Sequence, residues 1–391
     1  MKNISILLAG AAALGFSGVA HAQNVRGISN DEVRIGSHVD LSGPITMWGV
    51  PQRNGHIMRI EEQNAKGGVH GRKIKLIVED NGYDPKKGVL ATQKLIQQDQ
   101  VFAIVGALGT PLVLAALPIV EEAGVLHLFP GAPHKRTYEP FVRTNFALAA
   151  PYDGMTRASV KYFAEKRTKK KIGVIYQDDD FGKEVRESVA TQAKTQNVEV
   201  VGAESYKRGD TAFSSQVANL RRAGADVVFL GAVPAQAAGV MLEMAKVDWK
   251  VDTVAPASAC SQGTVDLGKQ AVEGMYVQCQ YVPFGPNEPA PVKAWMERYE
   301  KRFGVKPDIA ATMSYDMQDL VILALEKSGR DVTQEKFIAA MESIKNWQNI
   351  FGAPPQSYSA TSHLGTRSTV LTVIKDGVFT RVEKEALAEA N

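Results

Sequence analysis

Strand-length apolar runs alternate with helix-length amphipathic stretches twice along this chain, and that alternation constrains the fold more than any other feature. Residues 33–36 (Val-Arg-Ile-Gly) read as a strand, followed by a loop at 41–44 and a helix through Glu62. Asn64-Ala65-Lys66-Gly67-Gly68 ends the helix, since glycine takes the left-handed stop conformation without a steric penalty. Residues 73–78 form the next strand. Asp84-Pro85 then opens a helix with a capping side chain and a ring that presets its first turn. Residues 101–106 and 125–129 are continuously apolar, the mark of strands covered on both faces, with a helix at 111–123 between them. The pattern returns with strands at 171–176, 198–204, 226–230, 251–254 and 275–281 and helices at 181–196, 212–223 and 235–245. Helices at 289–303, 314–328 and 333–342 follow, and a strand pair around Lys375-Asp376-Gly377 comes last. Parallel strands need crossovers, so two such runs predict two α/β units with parallel-core sheets. The length agrees, because 391 residues exceed the roughly 250–300 that one core organises.

Residues 1–22 read as an export signal: Lys2, a small-residue apolar run, and Ala20-His21-Ala22 as the cleavage site, with a mature start near Gln23. The expected location is the periplasm. Export makes a disulfide between the two cysteines, Cys260 and Cys279, as plausible as two buried thiols, and the sequence leaves that open. With 45 Lys+Arg against 42 Asp+Glu, the net charge of +3 gives no reason to expect nucleic acid as a partner.

Catalytic signatures are missing. No G-x-G-x-x-G, no G-x-x-x-x-G-K-[ST] and no G-x-S-x-G occurs in the mature chain, and the seven histidines show no metal-binding spacing. The reading is therefore of a protein that is not an enzyme and carries no cofactor or metal. What stands out is a set of Gly/Pro-shaped loops at the carboxyl ends of strands, where open α/β sheets bind ligands: 41–44, 109–111, 130–133, 177–181, 232–234 and 257–259. Thr110 precedes a helix, where its hydroxyl either caps that helix or helps to hold an anion at the helix N-terminus.

Taken in order, several segments resemble the solute-binding proteins of ABC importers, of the leucine/isoleucine/valine-binding type. They are Val33-Arg34-Ile35-Gly36, Leu41-Ser42-Gly43-Pro44, Trp48-Gly49, Asn64-Ala65-Lys66-Gly67-Gly68-Val69 with Gly71, Asp84-Pro85, Ile104-Val105-Gly106, Pro130-Gly131-Ala132, Arg143-Thr144, Phe181-Gly182 and Glu273-Gly274-Met275. The resemblance implies two Rossmann-like lobes joined by a three-strand hinge, with crossings near residues 145, 281 and 350. One lobe would combine 23–145 with 282–350, and the other 146–281 with 351–391. A small-molecule ligand would be gripped in the cleft by a monomer and delivered to a membrane permease.

The same resemblance places ligand-binding groups. Thr110 falls where the family holds the ligand carboxylate, with Pro111 beside it. Gly131 and Ala132 fall where backbone lines the site, and Trp48 and Phe181 at aromatic positions along the cleft. His134, Tyr152 and Ser258 are further candidates near it, and Tyr315 a weaker one. The departures are informative. The family's ammonium-accepting glutamate is Ala257 here, a hydroxyl residue is Pro133, and a tyrosine is Ala232 or Val233. A buried ammonium without a partner costs several kcal/mol. The expected ligand is thus a carboxylate without an α-amine, aromatic or hydrophobic in body, unless Asp178, Asp179 or Asp180 replaces the glutamate. The alternatives are a branched-chain or other amino-acid-binding protein, or a periplasmic sensor of the same fold.

Overall fold

A computed structural model of the protein describes residues 25–285, 287–384 and 386–388; the leader read at residues 1–22 lies outside the described residues. The first sheet comprises β1 (Glu32–Val39), β2 (Lys73–Asp80), β3 (Ala103–Val105), β4 (Leu126–Leu128) and β5 (Asn145–Phe146). Its order is β2-β1-β3-β4-β5 and every pair is parallel. The crossovers are α1 (Thr46–Ala65), α2 (Pro85–Gln97) and α3 (Thr110–Glu122). α2 starts as its sequence dictates, with the Asp84 carboxylate accepting the N–H groups of Lys86 and Lys87 and Pro85 in the first turn.

The chain then builds α4 (Tyr152–Lys166), β6 (Lys171–Gln177), α5 (Asp180–Thr195), β7 (Glu199–Tyr206), α6 (Ser214–Arg222), β8 (Val227–Gly231), α7 (Pro234–Lys246), β9 (Asp252–Ala255), α8 (Gln262–Gly268) and β10 (Tyr276–Cys279). Next come α9 (Ala290–Phe303), α10 (Ile309–Ser328) and α11 (Gln334–Glu342), and then β11 (Ser368–Lys375), β12 (Val378–Arg381) and β13 (Leu387–Ala388). The second sheet runs β12-β11-β10-β9-β8-β6-β7, with β13 against β11. It is parallel from β7 to β10 and antiparallel beyond.

Each sheet has its own apolar core. Ile35, Val105, Leu126 and Phe146 pack with Leu320 and Val321 of α10 and Phe337 of α11. Val228, Leu230, Val240 and Val277 anchor the other. The helices α9–α11 thus return to the first sheet after the second has been built, which is why the chain crosses between sheets three times. Near residue 350, where the third crossing is expected, the chain touches both sides. Ala353 packs in the second core and Arg381 Nη2 donates to Gly352 O (3.3 Å), whereas Tyr358 is buried against Phe129 and Phe146 and Gly365 donates its N–H to the Ala147 carbonyl at 2.9 Å. Cys260 and Cys279 form a disulfide, which resolves what the sequence left open.

Both sheets have a switch in strand order, between β1 and β3 and between β6 and β8. The loops that leave those strands diverge and open a crevice.

Candidate functional site

The loops that follow β1, β3, β4, β8 and β9 converge on one cavity between the two sheets. Its walls include Ile45 and Trp48, then Leu108, Gly109 and Thr110, then Pro130, Gly131 and Pro133, and on the far side Phe181, Val233, Ala257 and Ser258. Leu148, Ala149, Tyr152, Gln280 and the α10 residues Ile309, Ala310, Met313 and Met317 close it. The space is about 60 Å3, smaller than the roughly 150 Å3 of a cavity that holds benzene.

The lining is almost wholly apolar, with a few convergent polar groups. The hydroxyls of Thr110 and Ser258 sit beside the Tyr152 phenol, whose ionisation burial pushes well above the ordinary tyrosine range. Thr110 is the first residue of α3; Pro111 has no N–H and the Leu112 and Val113 N–H groups donate to Gly109 O (3.1 and 2.9 Å), so the helix end contributes the Thr110 N–H and its partial positive charge. Gly109 holds the turn open at φ +104°, a region that disfavours any residue with a Cβ. Tyr152 is fixed by its backbone N–H to Pro133 O (2.7 Å) and by ring packing on Phe181, centroids 4.9 Å apart.

Carbonyls around the cavity already accept hydrogen bonds. Ser258 Oγ donates to Ala232 O (2.8 Å), and Trp48 Nε1 to Ser258 O (2.9 Å). Gln280 Nε2 donates to Ala150 O (3.1 Å), Gln52 Nε2 to Gly106 O, and Gly109 N to Gly131 O (3.2 Å).

Several bonds tie the two sides of the cleft together. Besides Trp48 to Ser258, Gln177 Nε2 donates to the buried Tyr83 phenol (3.1 Å) and Arg208 Nη1 to Tyr83 O (3.0 Å). Ser261 Oγ donates to Asp308 Oδ2 (2.7 Å). Lys135 N donates to Glu184 Oε1 (2.9 Å), and His134 Nε2 lies 3.8 Å from Glu184 Oε2. Burial pushes the Glu184 carboxyl up to about 8 and the His134 imidazole down to about 4, so both are neutral near pH 7.

This architecture, two sheets with switch-point loops meeting over a small cleft, has relatives. The profile of the periplasmic binding protein family matches residues 32–378. The chain belongs to that family. An amino acid binding protein of Pseudomonas aeruginosa is 27% identical over 213 residues, covering 54% of this chain and 57% of that one, so the alignment spans just over half of the relative. A leucine-specific-binding protein of Salmonella typhimurium is 28% identical over 281 residues, covering 71% of this chain and 72% of that one. The solved fatty acid ABC transporter substrate-binding protein of Thermomonospora curvata superposes with a TM-score of 0.84 at 26% identity, covering 93% of this chain and 94% of that one.

Of the residues singled out from the sequence, Trp48, Thr110, Gly131, Pro133, Tyr152, Phe181, Ala257 and Ser258 all line the cavity. Pro111, Ala132, His134 and Ala232 do not, each for a local reason. Pro111 is one residue inside α3 and is buried in that helix's packing. Ala132 is buried among Leu95, Ile104 and Val113. His134 caps the short helical turn that follows it, accepting from Arg136 N (3.0 Å), and faces Glu184. Ala232 is buried in the second core and reaches the site only through its carbonyl.

Tyr315 also lies elsewhere, its hydroxyl bonded to Glu62. The loop acids stay away from the cavity: Asp178 pairs with Lys183 (3.0 Å), and Asp179 caps α5 and accepts from Gln177 (2.5 Å). The α10 wall is not visible in the sequence pattern, which starts this helix at 314, whereas it begins at Ile309. Asp308, whose Oδ1 accepts the Ile309 N–H at 2.6 Å, was the cap signal that would have placed Ile309 and Met313 at the cleft.

Proposed function

We propose that this chain is the exported substrate-binding component of an ABC importer, capturing a small organic acid that lacks an α-amine and presenting it to a membrane permease from the periplasm. The observation that carries the reading is the charge-free lining: among the described residues, no Asp, Glu, Lys, Arg or His borders the cavity. An α-ammonium closed into it meets no carboxylate, only neutral oxygens such as the Gln52 and Gln280 amides and backbone carbonyls, of which those of Gly106, Gly131, Ala150, Ala232 and Ser258 already accept hydrogen bonds. A carboxylate meets donors instead, namely the Thr110 and Tyr152 hydroxyls and the Thr110 N–H at the start of α3. Charge-assisted bonds of this kind contribute about 1.5–3 kcal/mol each. The Thermomonospora relative is named for fatty acids, which have a carboxylate and no α-amine. The names of the other two relatives favour the competing reading, an amino-acid ligand.

A thermal-shift panel separates the two. A ligand that binds only the folded state raises Tm by mass action. Octanoate, benzoate and 4-methylpentanoate are expected to raise it, whereas leucine, isoleucine and valine leave it unchanged. A rise with the amino acids and none with the acids would establish the competing reading.

A further inference from the structure

The polar groups account for one end of a ligand. They do not say how large a body the cleft accepts, and α10 bears on that. Ile309, Met313 and Met317 are spaced i, i+4, i+8, so they form one stripe of the helix, and all three line the cavity together with Ala310. The stripe is about 12 Å long, at roughly 1.5 Å per residue. Met313 is half-buried and packs against both cores at once.

The helix behind that stripe is held in place. At Gly55 of α1 an added Cβ would lie 2.1 Å from Ser314 Oγ and 2.2 Å from Ala311 O, so the two helices touch backbone to backbone there. Gln318 Nε2 donates to His56 Nδ1 at 2.9 Å, Arg59 pairs with Asp319, and Tyr315 donates to Glu62. The α10 backbone is therefore a fixed wall, while its methionines are unbranched side chains that re-pack readily.

We infer that the Met313–Met317 face of α10 sets the length of apolar body that the cleft admits, with Met313 as the adjustable stop. The inference rests on the organic-acid reading above. Short bodies leave Met313 where it stands, and longer ones require it to swing aside. An aromatic side chain at 313 removes that freedom, and a small one makes it permanent.

Calorimetric titration of the full mature protein with butanoate, hexanoate, octanoate and decanoate tests this, with Met313→Phe, Met313→Ala and the volume-conserving Met313→Leu. One methylene gained or lost in an apolar pocket changes affinity about 10-fold or more. Met313→Phe is expected to weaken octanoate and decanoate at least about tenfold while butanoate stays within about threefold. Met313→Ala is expected to shift the best ligand to a longer acid, and Met313→Leu to keep the wild-type order. The two size-changing variants move the profile in opposite directions, so a fold too weakened by one still leaves the other to decide. A wild-type protein that binds these acids with the same length profile in all variants would overturn the gauge and leave the acid reading standing. A wild-type protein that binds none of them would overturn both.

Discussion

Glu184 shows how a single residue couples the cleft to its surroundings. Its carboxyl is buried where α5 meets the loop after β4, receives the Lys135 N–H, and has Asp153, Glu187 and His134 around it. Burial raises it to about 8, so it is protonated near pH 7 in this structure; on the proposed clamp motion, opening exposes it to water and returns it toward 4.5. A group whose pKa is raised on closing favours closure at low pH, and that contribution is lost as pH rises from the open to the closed value. His134 has the opposite sign, about 4 when closed against 6.5, but acts only below pH 6.5. Above pH 6.5 the opposing effect of His134 is spent, and between pH 6.5 and 8 the Glu184 contribution falls as pH rises. Octanoate affinity is therefore expected to fall by roughly tenfold across that window, with protons taken up on binding, and Glu184→Gln is expected to flatten the dependence. Calorimetry in two buffers of different ionisation enthalpy reads it; a flat wild-type profile would contradict it. Thr110 makes a second residue-scale case. Thr110→Val keeps the shape of the α3 entrance and removes the hydroxyl, and is expected to weaken acid binding by about 1.5–3 kcal/mol with little change in Tm. Thr110 and Ser258 are legible because strand-end loops announce themselves, and Trp48, inside α1, is legible only through the family resemblance. Glu184 is not, because its partner lies across the cleft in a segment 49 positions away, and no local pattern reports that.

At the scale of elements, the close seat of α1 on α10 decides how firmly the cleft wall is held. Gly55→Ala would normally favour a helix by up to about 1 kcal/mol. Here the new methyl meets Ala311 O and Ser314 Oγ at 2.2 and 2.1 Å, so the contact must open, and overpacking of this kind costs roughly 1–3 kcal/mol. The net expectation is a lower Tm in differential scanning calorimetry; an unchanged or higher Tm would show that the helices separate freely. The strands and most helices could be read from the sequence because their signals are local: Asp84-Pro85 starts α2, and Gly67 and Gly68, both at positive φ, follow the end of α1. α4 was missed. It begins after Pro151 with no side-chain cap, and its buried face mixes Gly154, Thr156 and Ser159 with the apolar residues, which blurs the hydrophobic period. The path after residue 350 is hidden from the sequence for a similar reason: Tyr358 is held by contacts with Phe129 and Phe146, far away in sequence.

For the molecule as a whole, three buried histidines set an acid limit. His38 Nδ1 accepts from Asn81 Nδ2 at 3.0 Å and His56 Nδ1 from Gln318 Nε2 at 2.9 Å, arrangements that need a neutral ring. Burial lowers His38 and His56 to about 3 and His127 to about 4. Groups depressed in the fold stabilise it above their unfolded value of 6.5, and that contribution is lost as pH falls toward 3–4. Denaturant titrations from pH 7 to 4 are expected to show falling stability, with less slope in His56→Gln. The disulfide acts at the same scale. It joins the loop after β9, where Cys260 lines the cavity, to β10 beside the second crossing. On the loop-entropy argument it contributes about 3 kcal/mol, so the Cys260→Ser/Cys279→Ser double variant is expected to unfold at lower denaturant. The claim on which the rest depends is that two lobes close on an acid and exclude an amine. Leucine and 4-methylpentanoate are the same body with and without that amine, so titrating both into the purified mature protein tests it most directly. The account predicts heat and saturation with 4-methylpentanoate and none with leucine; tight binding of leucine with no response to 4-methylpentanoate would contradict it.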